Sequence, residues 1–263
     1  MYVDRVHVKK AFAEYTAAYN ADDPKIKLKI DHTYRVAALC ERIAKAAGMC
    51  VYDVELAWLS GMLHDVGRFE QIKRYNTFSD ADSVDHAKFG ADLLFKDGLI
   101  STFLNGMVKC TGYKPGALEN RYSSDGVFLY DRLNKSDMEM LELAIRCHNM
   151  YRIPQGLNRR EQAFCNVLRD ADKVDIFKVN IDTPLEEIYN TTTEELMKSD
   201  ITDEVLEAFD EEHCILKAIR RTPADTVIGH VSLAYELVYD ESVRITVEQG
   251  YLAKLMHFHS DNE

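Results

Sequence analysis

The chain has 263 residues, 46% of them hydrophobic and 29% charged, which is enough for a full core in one large domain or two small ones. Acidic residues outnumber basic ones by 44 to 32, giving a net charge of −12. The surface as a whole is therefore a poor partner for bulk nucleic acid, whose binding depends on Lys and Arg against phosphate. MYVDRVHVKK lacks the apolar region of a secretory leader, and no apolar run reaches bilayer length, so neither export nor a membrane span is expected. Cys40, Cys50, Cys110, Cys147, Cys165 and Cys214 form no CxxC pair, and buried thiols in a reduced, cytoplasmic setting are the expectation.

Taken in chain order, most of the sequence reads as helix. Residues 2–19 are periodic and are broken by DDP at 22–24. Residues 31–47 place His32, Val36, Leu39, Cys40, Ile43 and Ala47 on one stripe, with Gly48 as the stop. Residues 51–65 are apolar nearly all round, which predicts a central buried helix with Gly67 at its C-terminus. Residues 70–84 read as a polar loop, and a helix is expected over 85–95 with His86, Phe89, Gly90, Leu93 and Leu94 on one side. The Gly- and Pro-bearing stretch 111–126 is the best candidate for a long loop. Helices are expected over 136–149, where Leu141, Ile145 and His148 share a face, and over 160–178. Three further helical stretches are expected in TPLEEIYN, TDEVLEAFDEEHCILKAI and the segment from His230 to Phe258. Strand signals are weak throughout, so the fold class is all-α.

One property cuts across these elements. His32, His64, His86 and His148 each lie toward the apolar side of a predicted helix, and Asp65 follows His64. RDADKVD at 169–175 adds carboxylates among Phe164, Val167, Leu168, Ala171 and Val174. A single inward histidine is ordinarily a core histidine with one hydrogen bond. Four of them with inward carboxylates make a costly polar core unless a cation neutralises it. His7, His213, His230, His257 and His259 fall outside this pattern and read as ordinary surface or core residues.

The order H…HD…D, carried by HTYRVAALCERIA, GMLHDVGRFEQ, DHAKFGADLLF, AIRCHN and LRDADKVD, resembles the HD superfamily of metal-dependent phosphohydrolases. The resemblance implies a compact multi-helix bundle, with a motif-bearing core over about 27–180 and a helical extension over 181–263 of one domain. It implies that His32, His64, Asp65 and Asp172 bind one divalent metal (Fe, Mn, Mg, Co, Ni or Zn). His86 and His148 match the ligands of a second metal, with Asp65 as the bridge. The family pattern selects Asp172 as the last ligand, although Asp175 points closer to the centre of the apolar face; Asp170 and Asp175 are candidates to orient ligands. Arg68 occupies the position where relatives place a phosphate-binding base, and Lys88 is a weaker candidate for the same task. HNMYRIPQGLN departs from the HHE…GYP pattern of members that cleave cyclic dinucleotides.

The implied activity is hydrolysis of a phosphate ester in a nucleotide or other small phosphorylated metabolite by a metal-activated water. Two rivals share the residues: a di-iron oxygenase with the ligand set H…HD…H…H…D, and a non-catalytic nucleotide-binding module. The C-terminal helices are expected either to cover the core or to form the face of a homodimer, and the sequence does not choose between them.

Overall fold

A computed structural model describes residues 3–20, 22–104, 135–184 and 191–258. Every regular element among them is helical. The candidate loop 111–126 and Cys110 lie outside the described residues. Cys40, Cys147, Cys165 and Cys214 are buried thiols as expected, whereas Cys50 is exposed. No described helix is long and apolar enough to cross a membrane.

α1 (Arg5–Thr16) starts at Asp4, whose carboxylate accepts from the His7 N–H at 3.0 Å. The DDP segment that ends the first periodic stretch also begins the next helix. Asp23 caps α2 (Pro24–Ala46) by accepting from the Lys25 N–H at 2.8 Å, and Pro24 takes the first helical position. α2 thus starts a full two turns earlier than its apolar stripe predicts. α3 (Val51–Leu63) is buried on every side from Leu56 onward.

α3 stops two residues short of the prediction. His64 and Asp65 form a turn, and α4 (Val66–Tyr75) begins immediately. The first part of the predicted polar loop is therefore helical. Phe69 and Ile72, three residues apart, bury one face that the surrounding charges mask. Gly67 does not end a helix. It lies inside α4, where a Cβ would meet the His86 carbonyl oxygen at 2.4 Å and the Gly90 nitrogen at 2.7 Å. Its lack of a side chain lets α5 (His86–Ala91) lie against α4. α5 passes into a π-helical turn over Asp92–Lys96, and α6 (Ile100–Leu104) follows. α7 (Lys135–Cys147) and α8 (Arg159–Asp182) match the expected helices to within a few residues.

The described chain divides into two compact units, residues 1–168 and 169–263, with the boundary inside α8. In the first unit α2 and α3 approach closely where Gly61 meets Ala37, at 2.6 Å from an added Cβ to the Ala37 Cα. Phe12, Tyr15, Tyr34, Phe69 and Phe103 form an edge-to-face cluster that joins α1 to α2, α4 and α6.

In the second unit Phe177, Leu196, Val227, Val231 and Leu255 form the apolar centre. Its helices are shorter than the sequence suggests. They are α9 (Thr193–Met197), α10 (Asp203–Asp210), α11 (Pro223–Val231), α12 (Asp240–Gln249) and α13 (Tyr251–Met256). Gly250, at φ +68°, separates the last two. Asp225 ties this unit together. Its buried carboxylate accepts the N–H groups of Thr202, Arg221 and Thr222 at 2.8–3.0 Å. Burial alone would raise the Asp225 pKa, but these donors outweigh it and hold it below the usual range.

A carboxyl with a depressed folded pKa stabilises the fold above its unfolded pKa and loses that contribution as pH falls through the folded value. Asp225→Ala is therefore expected to cost about 2 kcal/mol near neutral pH, from several buried N–H groups left without an acceptor. The gap to the wild type should narrow toward pH 3, as read by urea denaturation followed by circular dichroism. A gap that widens on acidification would contradict this assignment.

Candidate metal centre

His64 and Asp65 occupy the break between α3 and α4. Asp65 is the N-cap of α4, at φ −103° and ψ 14°, yet its side chain makes no capping bond. Aspartate at an N-cap ordinarily satisfies the first free N–H groups, which is worth about 1 kcal/mol. Here the carboxylate turns instead into the protein interior, where it is 2% exposed. The chain is held at this point by Tyr15, whose hydroxyl donates to the Val66 carbonyl at 3.1 Å.

Four histidines surround that carboxylate, all of them buried. Asp65 Oδ2 lies 3.6 Å from both His32 Nε2 and His64 Nε2. Asp65 Oδ1 lies 3.5 Å from His86 Nε2 and 3.7 Å from His148 Nε2. The ring nitrogens are themselves paired, 3.2 Å between His32 and His64 and 3.1 Å between His86 and His148. Each oxygen of one carboxylate thus faces its own pair of imidazoles, drawn from α2, α5 and the ends of α3 and α7.

The protonation of these rings follows from their outer partners. His64 Nδ1 meets the Gly61 carbonyl at 2.8 Å, and His148 Nδ1 meets the Ile145 carbonyl at 2.7 Å. His86 Nδ1 meets Asp80 Oδ2 at 2.7 Å. None of these oxygens can donate, so Nδ1 carries the proton in all three rings, and in the neutral ring Nε2 presents a lone pair. Burial, followed by the positive charge of Arg68, lowers the His86 pKa to about 3, which keeps that ring neutral. His86 and His148 thus bring their Nε2 atoms to within 3.1 Å of each other.

A cation seated against such a pair could take both nitrogens as ligands. His64, Asp65 and His148 also offer ligand atoms that all lie within 4.8 Å of one another. Imidazole nitrogens fixed by carbonyl or carboxylate partners, beside an ionised carboxylate, are the donor set that divalent transition metals take. The residues fit such an ion. Two helix C-termini add to this, since α3 and α7 end at His64 and His148 and carry partial negative charge there.

Two cationic side chains flank the same carboxylate. Lys29 Nζ donates to Asp65 Oδ2 at 2.7 Å, and Arg68 Nε lies 3.8 Å from Asp65 Oδ1. Burial would raise the Asp65 pKa, but the Lys29 charge leads the interactions that hold it well below the usual carboxylate range. Arg68 Nη1 donates to Gln71 Oε1, the Phe78 carbonyl and Asp80 Oδ1 at 2.7–2.9 Å. Asp80 is the hub of the surrounding network. It accepts from His86, Arg68, Gln71 and Asn149. Burial pushes the Asp80 carboxyl up, and the His86 hydrogen bond and the Arg68 charge bring it far below its ordinary value.

Of the residues singled out in the sequence, His32, His64, Asp65, His86, His148 and Arg68 are brought together. Lys88 is not among them. It is exposed on α5 and its ammonium pairs with Asp85 at 2.9 Å. Two residues along a helix from His86, it occupies a different face. Asp172, partly buried, lies on α8 in the second unit, as do the buried Asp170 and Asp175. Asp170 holds the start of α12 rather than a ligand, accepting from the Val238 and Tyr239 N–H groups at 2.9 and 3.0 Å.

Lys29 and Asp80 escaped the sequence reading. Lys29 had a legible signal, since it lies three residues before His32 and so on the same helical face. Asp80 had none, because nothing local distinguishes it from Asp82 or Asp85 in a polar segment.

The family model described as HD domain matches residues 30–180 of the chain. No curated protein and no solved structure matches it.

Proposed function

The chain belongs to the HD domain family, and from that premise we propose that it is a metal-dependent phosphohydrolase acting on a small phosphorylated metabolite such as a nucleotide. The observation that carries the reading is the Asp65 carboxylate, with one oxygen facing His32 and His64 and the other facing His86 and His148. His32, His64 and Asp65 would hold one divalent ion, and Asp65, His86 and His148 a second. Asp172 enters as a further ligand through the order H…HD…D of the sequence alone. An ion held there supplies a water of lowered pKa and a Lewis acid for phosphoryl oxygens.

The protein's own groups do the rest. The outer hydrogen bonds of His64, His86 and His148 fix each ring through Nδ1 and aim Nε2 inward. Arg68 is anchored through Nη1, which leaves Nε buried without an acceptor at the edge of the site. A phosphoryl oxygen is the natural partner for that donor. Lys88, paired with Asp85 at the surface, has no part in this reading.

The test is metal analysis of the purified protein, then a screen for phosphate release with Mn, Fe, Co or Mg supplied. Bound transition metal, phosphate release, and loss of both on chelation are expected. Iron with oxygen uptake and no phosphate release would overturn the proposal in favour of an oxygenase.

Asp80→Asn should weaken metal binding about 10- to 100-fold, the usual effect of removing a carboxylate behind a ligating histidine. Competition with a chromophoric chelator reads this directly. Unchanged affinity would mean that His86 takes no part.

A further inference from the structure

We propose that Lys29 and Arg68 form a phosphate clamp beside the metal centre, and that this clamp selects phosphomonoesters over phosphodiesters; the inference rests on the phosphohydrolase reading and narrows its substrate class.

Three observations carry it. Lys29 and Arg68 come from different helices but approach opposite oxygens of one carboxylate, at 2.7 and 3.8 Å. Both stand over the ring of Phe78, at 5.5 and 5.6 Å from its centroid, so a single aromatic face backs the two cations. And both have donor capacity that the folded chain does not use when Asp65 is a ligand. Arg68 Nε is buried and has no hydrogen-bond acceptor. Lys29 has Asp65 Oδ2 as its carboxylate, the same oxygen that faces His32 and His64.

Once that oxygen serves as a metal ligand, its charge is shared with a second cation and the Lys29 ammonium is left incompletely neutralised. Its side chain is only 18% exposed, and a largely buried ammonium without a counter-ion is strongly unfavourable. An anion beside Asp65 removes the problem for both cations.

Counting acceptors identifies the anion. The metal centre, Lys29 and Arg68 Nε each call for one terminal phosphoryl oxygen. A phosphomonoester dianion has three; a phosphodiester has two, and its ester oxygens are poor acceptors. A diester would leave one buried donor unmatched, and a site built to hydrogen-bond a group discriminates strongly against an analogue that lacks it. The reaction is redox-neutral. A P–O bond forms to water, the P–O bond to the alcohol breaks, and the proton lost by the water ends on the leaving oxygen, giving alcohol and inorganic phosphate.

The experiment uses the manganese-loaded full chain, with metal content and helical circular dichroism checked for each variant. Inorganic phosphate and dimethyl phosphate are titrated calorimetrically into wild type, Lys29→Met and Lys29→Arg. A panel of monoesters and diesters is assayed in parallel. Wild type should bind phosphate at least about 10-fold more tightly than dimethyl phosphate, and Lys29→Met should lose about 10- to 100-fold of the phosphate affinity at unchanged metal content. Lys29→Arg should retain most of it, and monoesters should be the better substrates. Equal wild-type affinity for the two anions, faster diester hydrolysis, or wild-type phosphate affinity in Lys29→Met would overturn the clamp while leaving the phosphohydrolase reading intact. Lys29-dependent phosphate binding with no ester hydrolysed would support the clamp and overturn that reading. The wild-type comparison of the two anions needs no variant and decides the matter even if Lys29→Met fails to fold.

Discussion

Asp65→Asn should empty the metal centre and reduce metal-dependent phosphate release by well over about 100-fold, more than the loss of an outer-sphere carboxylate produces. The reason is positional. Asp65 lies 3.5–3.7 Å from the Nε2 of all four imidazoles. Asparagine keeps the shape and one acceptor oxygen but replaces the second oxygen with a donor and removes the charge. Neither pair of imidazoles then shares an anionic ligand with the other. Helical content should survive, because the Asp65 side chain makes no capping bond that α4 depends on. Metal content and circular dichroism on the same sample check both halves of the statement. A variant that retains full metal and full activity would remove Asp65 from the centre.

Gly67→Ala should destabilise the fold by about 3 kcal/mol, the upper end of what overpacking usually costs. The three nearest atoms to an added Cβ are backbone, at 2.4, 2.7 and 2.8 Å, and belong to His86 and Gly90. No rotamer change can relieve such contacts, so α4 and α5 must separate. His86 begins α5, and its imidazole would move with the backbone. The loss of stability should therefore come with a loss of metal affinity at the His86–His148 pair, while His32 and His64 keep their places. Denaturation midpoints and metal stoichiometry report the two effects separately. Normal stability in this variant would show that α4 and α5 are not packed as described.

How much of this was legible in the chain depended on whether a residue's role showed up as periodicity. His32, His86 and His148 stood out because each shares a helical face with apolar neighbours, and the structure buries all three. The start of α4 did not stand out. EQIKRY carries charge at three of six positions, which hid the Phe69–Ile72 stripe until tertiary burial exposed it. Gly67 was misread for a related reason. A glycine near the end of an apolar run usually stops a helix, and only the neighbouring α5 backbone reveals that it is there for close approach. Lys88, a basic residue near His86 in sequence, is exposed and paired with Asp85, which no local pattern indicates. Asp80 was invisible because its function lies in a network assembled from His86, Arg68, Gln71 and Asn149, which no local pattern announces.

The outer partners of the histidines bear on how this centre can change by mutation. His64 and His148 each donate Nδ1–H to a carbonyl three residues upstream, at the end of the helix that delivers them. A backbone carbonyl is present whatever the side chain at Gly61 or Ile145, so no single codon change at those positions deletes the acceptor. His86 relies on a side chain, Asp80, that one nucleotide substitution can convert to asparagine. The centre thus has a hard-wired part and a tunable part. Sequence drift is expected to adjust the His86 arm, and with it the behaviour of the second ligand pair, long before it reaches His64.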